Sequence, residues 1–378
     1  MRAGIIRTAV GRAAISRMPW HLLLAAVALT FVGVAFIYSA ASLGMALRHM
    51  VFAGLGLVAF VVFSLLDYRH LRGLAPVLYA AGVLSLAGLF ALGTTINYAQ
   101  RWYNVGFFHV QPSELMKYVL VIVLADYLRS RKRMDRLRDL AMPAALTGLP
   151  VLLIMGQPDL GSALILGALF FAMTFLGGVP VRNLALVVGL GVALLAAAWF
   201  IPGVLKDYQR MRLETFLNPA ATRDSSAAYN AEQAITAVAA GGMHGQGYGR
   251  GVLNRLGRIP ESYADFMFPV IAEEWGFVRT APFACVYLFL AFLLARIACK
   301  TRDPFGRLLV GGVLSLLALQ SFLHMAIALR LAPITGLPLP LVGYGGSSLL
   351  STFAGLGLVG SVCTHTHVLF EPGAEEEA

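Results

Sequence analysis

The polar residues able to do chemistry are few, and they fall in short clusters beside Pro, Ser or Gly. Gln111-Pro112-Ser113-Glu114 is followed by Lys117, Gln157-Pro158 by Asp159, and Gly345-Gly346 by Ser347-Ser348, while Asp265 heads a long apolar run. Pro with Ser or Asp suits the first turn of a helix. A helix N-terminus offers free N–H groups and a partial positive charge to an anion. Several such ends around one cavity, with full charges from Lys117, Arg101 and Arg330, would suit a phosphate or pyrophosphate. Simpler readings stand beside this one. Glu114 and Lys117, spaced i and i+3, could pair with each other, and Asp159 and Asp265 could serve only as helix caps. Gly345 and Gly346 could serve only a tight turn, and Trp102 could be an interfacial aromatic. Glu273 and Glu274 are harder to set aside, because acids inside an apolar span are costly and face a partner or a wet cavity. His324 reads as a satisfied interior histidine. No His/Cys cluster, Walker loop, GxSxG elbow or dinucleotide fingerprint is present.

The elements that must position these residues are hydrophobic helices. Of 378 residues, 58% are hydrophobic and 13% charged, roughly half the charge of a soluble domain; mean hydropathy is +0.76. Spans need about 20 apolar residues. Candidates run near Trp20–Ser39, Ala46–Leu66, Leu74–Leu92, Ser113–Leu128, Pro143–Met155, Leu160–Leu176, Leu184–Ile201, Phe266–Ala295, Leu308–Leu329 and Ser347–Phe370. The expected fold is all-α: one transmembrane domain over residues 1–378 with about ten spans. The first apolar run reads as a signal anchor. The three cysteines, Cys285, Cys299 and Cys363, have no metal-ligand spacing and read as small buried apolar side chains.

Basic residues set the orientation. Arg2, Arg7, Arg12 and Arg17 precede the first span; Arg69 and Arg72 follow the second; Arg129, Arg131, Lys132, Arg133, Arg136 and Arg138 follow the fourth. Arg182 follows the sixth, and Arg296, Lys300, Arg302 and Arg307 the eighth. Alternate loops are basic, which places both termini in the cytoplasm; the acidic Glu375–Glu377 counts little in this rule. The net charge of +10 thus belongs to membrane topology, and nucleic-acid binding is excluded. Every even-numbered span then starts at the outer face, where the polar clusters lie. The largest outward loop, residues 202–265, carries mixed charges and six glycines from Gly241 to Gly251. Those glycines predict a mobile or tightly turning segment, and Tyr229–Ala240 a short surface helix.

At these residues the chain resembles the SEDS family (shape, elongation, division and sporulation), which includes RodA and FtsW. The resemblance is carried by Gln100-Arg101-Trp102, by Gln111 to Lys117, and by Gln157-Pro158-Asp159 with Leu160 to Leu164. It continues in Pro260-Glu261, Ala264-Asp265-Phe266-Met267-Phe268 and Glu273-Glu274-Trp275-Gly276, then Pro333 to Pro340 and Tyr344-Gly345-Gly346-Ser347-Ser348. It runs in order over nearly the whole chain. The family's usual residues differ at His324 (Asn), Gly343 and Ala234 (Ser) and Tyr98 (a small residue such as Gly). The resemblance implies a peptidoglycan glycosyltransferase of the cytoplasmic membrane. It would polymerise lipid II, a disaccharide-peptide on undecaprenyl pyrophosphate, at the outer face, acting with a class B penicillin-binding protein and among membrane lipids. By the same resemblance Asp265 is the candidate general base. Lys117, Arg101 and the helix ends then serve the pyrophosphate, Glu114 orients Lys117 or holds a cation, and Trp102 stacks on sugar or lipid. A divalent ion such as Mg²⁺ is compatible with carboxylates beside a pyrophosphate. The short cytoplasmic ends lean toward the RodA-like branch.

Two other functions fit a polytopic chain with buried acids: a lipid II flippase, and a scaffold that positions a synthase. A flippase needs access from both faces, whereas the polar signals here crowd one. A scaffold leaves Asp265, Lys117 and Glu114 without a purpose.

Overall fold

The computed structural model describes residues 18–96, 99–106, 108–131, 134–201, 207–218 and 225–365. The basic residues Arg2 to Arg17, Tyr98, Lys132, Arg133, the acidic tail and parts of the outer loop lie outside the described residues. The elements are α1 (Trp20–Ala40), α2 (Leu43–Leu65), α3 (His70–Leu92), β1 (Thr94–Ile96), β2 (Ala99–Asn104), β3 (His109–Val110), α4 (Pro112–Arg129), α5 (Ala141–Gly156, entered through a 3₁₀ turn at Leu137–Leu140), α6 (Leu160–Leu176), α7 (Val181–Phe200), α8 (Asp207–Leu217), α9 (Ser226–Gly241), α10 (Val252–Arg255), α11 (Met267–Lys300), α12 (Pro304–Ala328) and α13 (Gly346–His365).

Helices α1–α7 and α11–α13 occupy the ten expected spans. Eight are long and apolar enough to cross a membrane, counting α5 with its 3₁₀ turn. The two that fall short are α4 and α6. The first carries Glu114, Lys117, Asp126 and Arg129 within its length, and the second has 17 residues. Both begin at a polar cluster, so their departure from the spanning pattern coincides with the site.

The strand chemistry at 94–104 was not expected in an all-α chain. A small antiparallel sheet, ordered β1-β2-β3, pairs Thr94 with Trp102 and Tyr103 with Val110. It fills the connection between α3 and α4 and carries Arg101 and Trp102.

Helices α12 and α13 lie at the centre, largely buried, whereas α2, α3 and α7 expose most of their surface to the lipid side. Small residues let the inner helices approach closely, as is usual where lipid removes the hydrophobic drive. A Cβ at Gly357 would meet Phe60 and Phe63 of α2, and one at Gly355 would meet the Tyr118 ring of α4.

The loops sort into two ends. At one, Arg72 pairs with Asp303 at 2.7 Å, Arg69 donates to the His365 carbonyl, and Asn183 donates to the Asp135 carbonyl. These link the loops read as cytoplasmic. At the other end, all the polar clusters converge. Cys285 and Cys299 correct the sequence reading: they are exposed on α11 and Cys363 is half-buried, so lipid rather than protein supplies the apolar surroundings of the first two.

Helix α11 also differs from the expected single span. It breaks at Gly276, whose φ of 68° is open to glycine and strained for other residues. Glu273 and Glu274 therefore end a short leading helix, ahead of the spanning part. The break is filled from the outer loop: Gln246 and Gly247 N–H donate to the Glu273 and Glu274 carbonyls, and Phe277 and Val278 N–H to those of Gly242 and Met243. Of the two readings of the glycine stretch, tight turning is the one observed, and its backbone is locked to α11. The expected short helix is present as α9, capped by Ser225. It is packed rather than superficial, with Ala234 and Ala237 fully buried.

Candidate active site

The site is built on helix beginnings. Pro112, without an N–H to leave unsatisfied, opens α4. Asp159 caps α6 by accepting from Ser162 N–H at 3.1 Å. Its other oxygen accepts from Gln111 Nε2 (3.1 Å) and Ser113 Oγ (3.3 Å), joining the starts of α4 and α6. Ser347 joins α13 to the same point, accepting from Gln111 N–H and donating to the His109 carbonyl. Tyr344 N–H donates to the Tyr263 carbonyl, which ties the approach to α13 to the approach to α11. The four outer helix starts therefore meet, which the sequence alone did not show.

Asp265 lies in the turn before α11, with its own N–H bonded to the Glu261 carbonyl. Burial pushes its carboxyl up to about 6, with Glu261 and Asp159 adding to the rise and Arg101 and Arg212 opposing it. Its Oδ2 faces Gly336, where a Cβ would stand 3.1 Å away. The left-handed Gly336 backbone, φ 71°, brings the chain past the carboxylate without a side chain.

Arg101 reaches from β2 to the Pro158 carbonyl at 2.5 Å and lies 3.9 Å from Asp159. Its guanidinium sits 5.9 Å from the Trp102 ring centre. Arg101 Nε, Ser162 Oγ and Thr335 Oγ1 are buried without a partner among the described residues. Such orphans are rare in folded proteins, and these three border the Asp159–Gly336 region.

Lys117 and Glu114 take the simpler arrangement at least in part. They pair at 2.7 Å, both nearly inaccessible. Lys117 Nζ also donates to Gln320 Oε1 at 3.1 Å, and Gln320 Nε2 donates to the Pro338 carbonyl. A chain of contacts thus runs from Glu114 to the loop that holds Gly336. His324, one turn beyond, donates from Nδ1 to the Leu337 carbonyl and accepts Phe268 N–H at Nε2, the satisfied histidine expected. Tyr287 holds the Pro340 carbonyl.

Glu273 and Glu274 do not join this cluster. Glu273 accepts from Leu253 and Asn254 N–H, and Glu274 from Gly249 N–H, Ser39 Oγ and Asn254 Nδ2. They fasten the outer loop. Gly345 and Gly346 have ordinary φ, so neither serves a left-handed turn; Gly346 makes room for the Phe52 ring. Ser348 is buried at the start of α13, and its carbonyl accepts the Ser351 and Thr352 hydroxyls.

Sequence reasoning missed Gln320, Gly336 and Arg212. Gln320 carried a usable signal: an uncharged polar side chain deep in an apolar span, one turn from His324. Gly336 and Arg212 carried none, since their importance lies in what the fold sets beside them. No three Asp, Glu, His or Cys residues among those described come together as a metal site, and the Asp159 oxygens are taken by protein donors. The residues do not fit a preformed divalent-ion site.

Fold and site define a polytopic helical membrane protein in which carboxylates and an arginine gather where four helix starts meet. The sequence profile of the FtsW/RodA/SpoVE cell cycle proteins matches residues 17–368, and the chain belongs to that family. The peptidoglycan glycosyltransferase MrdB of Escherichia coli K12 is 32% identical over 350 residues, covering 92% of this chain and 94% of that one. The probable peptidoglycan glycosyltransferase FtsW of Geobacter metallireducens is 33% identical over 365 residues, covering 93% and 96%. Among solved structures, a chain from work titled as structural coordination of polymerization and crosslinking by a peptidoglycan synthase complex has TM-score 0.80 and 35% identity, covering 92% and 97%. The rod shape determining protein RodA of Thermus thermophilus has TM-score 0.69 and 32% identity, covering 93% and 98%.

Proposed function

We propose that this protein is a peptidoglycan glycosyltransferase of the cytoplasmic membrane that polymerises lipid II at the outer face, with Asp265 as general base. The observation that carries the reading is the setting of Asp265: a carboxylate raised to about 6, beside Arg101 and facing a glycine. A base with that pKa is largely ionised at neutral pH yet accepts a proton readily.

In the reaction, the acceptor sugar's hydroxyl oxygen bonds to the anomeric carbon of the donor. The bond from that carbon to the pyrophosphate oxygen breaks, and its electron pair leaves with the pyrophosphate. Asp265 takes the hydroxyl proton. Arg101, whose Nε has no partner among the described residues, is placed to stabilise the departing charge. Lys117, spent on Glu114 and Gln320, supports the site through the Pro338 loop. Trp102 offers a face to sugar or lipid. No step is routed through a metal. The class B penicillin-binding protein supplies transpeptidation.

The test is purified protein with its class B partner, transpeptidase blocked, supplied with lipid II. Glycan polymer supports the reading. Lipid II crossing a vesicle bilayer with no polymer formed would sink it in favour of a flippase.

A further inference from the structure

A cavity of about 130 Å³ lies beside the site, between α8, α9 and the segment after α12. Two arginines line it, Arg212 from α8 and Arg330 from the end of α12, against an apolar wall that includes Phe216, Ala231, Pro333 and Ile334. Ile334 stands two residues before Gly336, which abuts Asp265, and Arg212 is near enough for its charge to act on Asp265. The buried, unpartnered Thr335 hydroxyl lies on the stretch between.

The backbone at Arg330 is a second, independent feature of the same place. Helix α12 ends with Arg330 N–H bonded to the Ile327 carbonyl and Leu331 N–H to that of Ala326. That is a Schellman ending, in which the left-handed residue is usually glycine. Arginine occupies it, at φ 57°. A side chain kept at a position where glycine costs less is an outlier from which function is fairly inferred, and this one lines the cavity.

We infer that this cavity is a second pyrophosphate subsite, taking a lipid-linked pyrophosphate between Arg212 and Arg330 with the first isoprene units on the apolar wall. The inference rests on the glycosyltransferase reading. Joining two lipid-linked substrates requires places for two pyrophosphates, and Arg101 supplies only one. Guanidinium forks match phosphate oxygens in geometry as well as charge.

The experiment measures thermal stabilisation of the full chain, with its class B partner, by undecaprenyl pyrophosphate, undecaprenol and inorganic pyrophosphate. It compares wild type with Arg330→Gly and Arg212→Ala, and lipid II polymerisation is followed in parallel. Undecaprenyl pyrophosphate should bind wild type, with each single-feature probe roughly tenfold or more weaker, and each variant should lose about tenfold in Kd and raise KM for lipid II similarly. Arg330→Gly should leave the melting temperature of the unliganded protein unchanged or higher, because it relieves the left-handed strain. A lower melting temperature with unaltered binding assigns Arg330 a structural role and overturns the inference. So does inorganic pyrophosphate binding as well as the lipid, or unaltered KM in both variants. Arginine-dependent lipid binding in a protein that makes no polymer would leave the subsite standing while the glycosyltransferase reading fell.

Discussion

Asp265 is held charged at a cost, so removing its charge should stabilise the fold while abolishing the reaction. The folded carboxyl titrates at about 6 against an ordinary 3.8, a penalty of up to about 3 kcal/mol at 1.36 kcal/mol per unit. Because the side chain is only half-buried, solvent screening reduces this to about 1–3 kcal/mol. The sign follows from linkage: a carboxyl whose folded pKa is raised binds its proton more tightly in the native state. Its contribution to stability therefore falls as pH rises from about 4 to about 6 and stays low above that. Asp265→Asn keeps the shape and removes the charge. Thermal unfolding in detergent should show the variant more stable than wild type at pH 7.5, with the gap closing at pH 4.5, where Asp265 is neutral too. A variant less stable than wild type at pH 7.5, or a gap independent of pH, would refute the reasoning.

Three further outcomes follow from the contacts. Gln320→Leu strands one Lys117 donor and the Pro338 carbonyl, at about 1–3 kcal/mol for each buried group; it should lower both the melting temperature and kcat, read by unfolding and by polymer formation. Gly276→Ala forces a Cβ onto the Gly245 amide at φ 68°. That backbone, with ψ at 177°, is open essentially to glycine alone and costs another residue about 1–3 kcal/mol, and the clash should cut the yield of folded protein, measured by size-exclusion chromatography in detergent. Glu274→Gln weakens the charged bonds to Gly249 and Ser39. It should speed proteolysis in the glycine stretch, and an unchanged cleavage rate would contradict the fastening role.

Much of the fold was legible because lipid imposes a simple rule: an apolar run of spanning length becomes a helix, and basic loops orient it. Pro112 and Asp159 also announced their helix starts correctly. The rest depended on distant partners. Lys117 looked available for a phosphate until Gln320 and Glu114 were seen to occupy it. Glu273 and Glu274 stayed open between a protein partner and a wet cavity, because nothing local shows that a glycine loop folds back onto them. The break at Gly276 needed Gly245 across from it, and the small sheet carrying Arg101 lacks any strong alternation. Short-range pattern gave the elements, while the assignment of charges to partners came only with the packing.

Asp265 as the base is tested most directly by comparing wild type with Asp265→Asn, each co-purified with its class B partner, for glycan formed from lipid II at pH 7.5. Loss of polymer by roughly 10²-fold or more, with partner binding intact and the fold no less stable, is the result predicted. Equal polymer from both proteins would contradict the account and remove Asp265 from the mechanism.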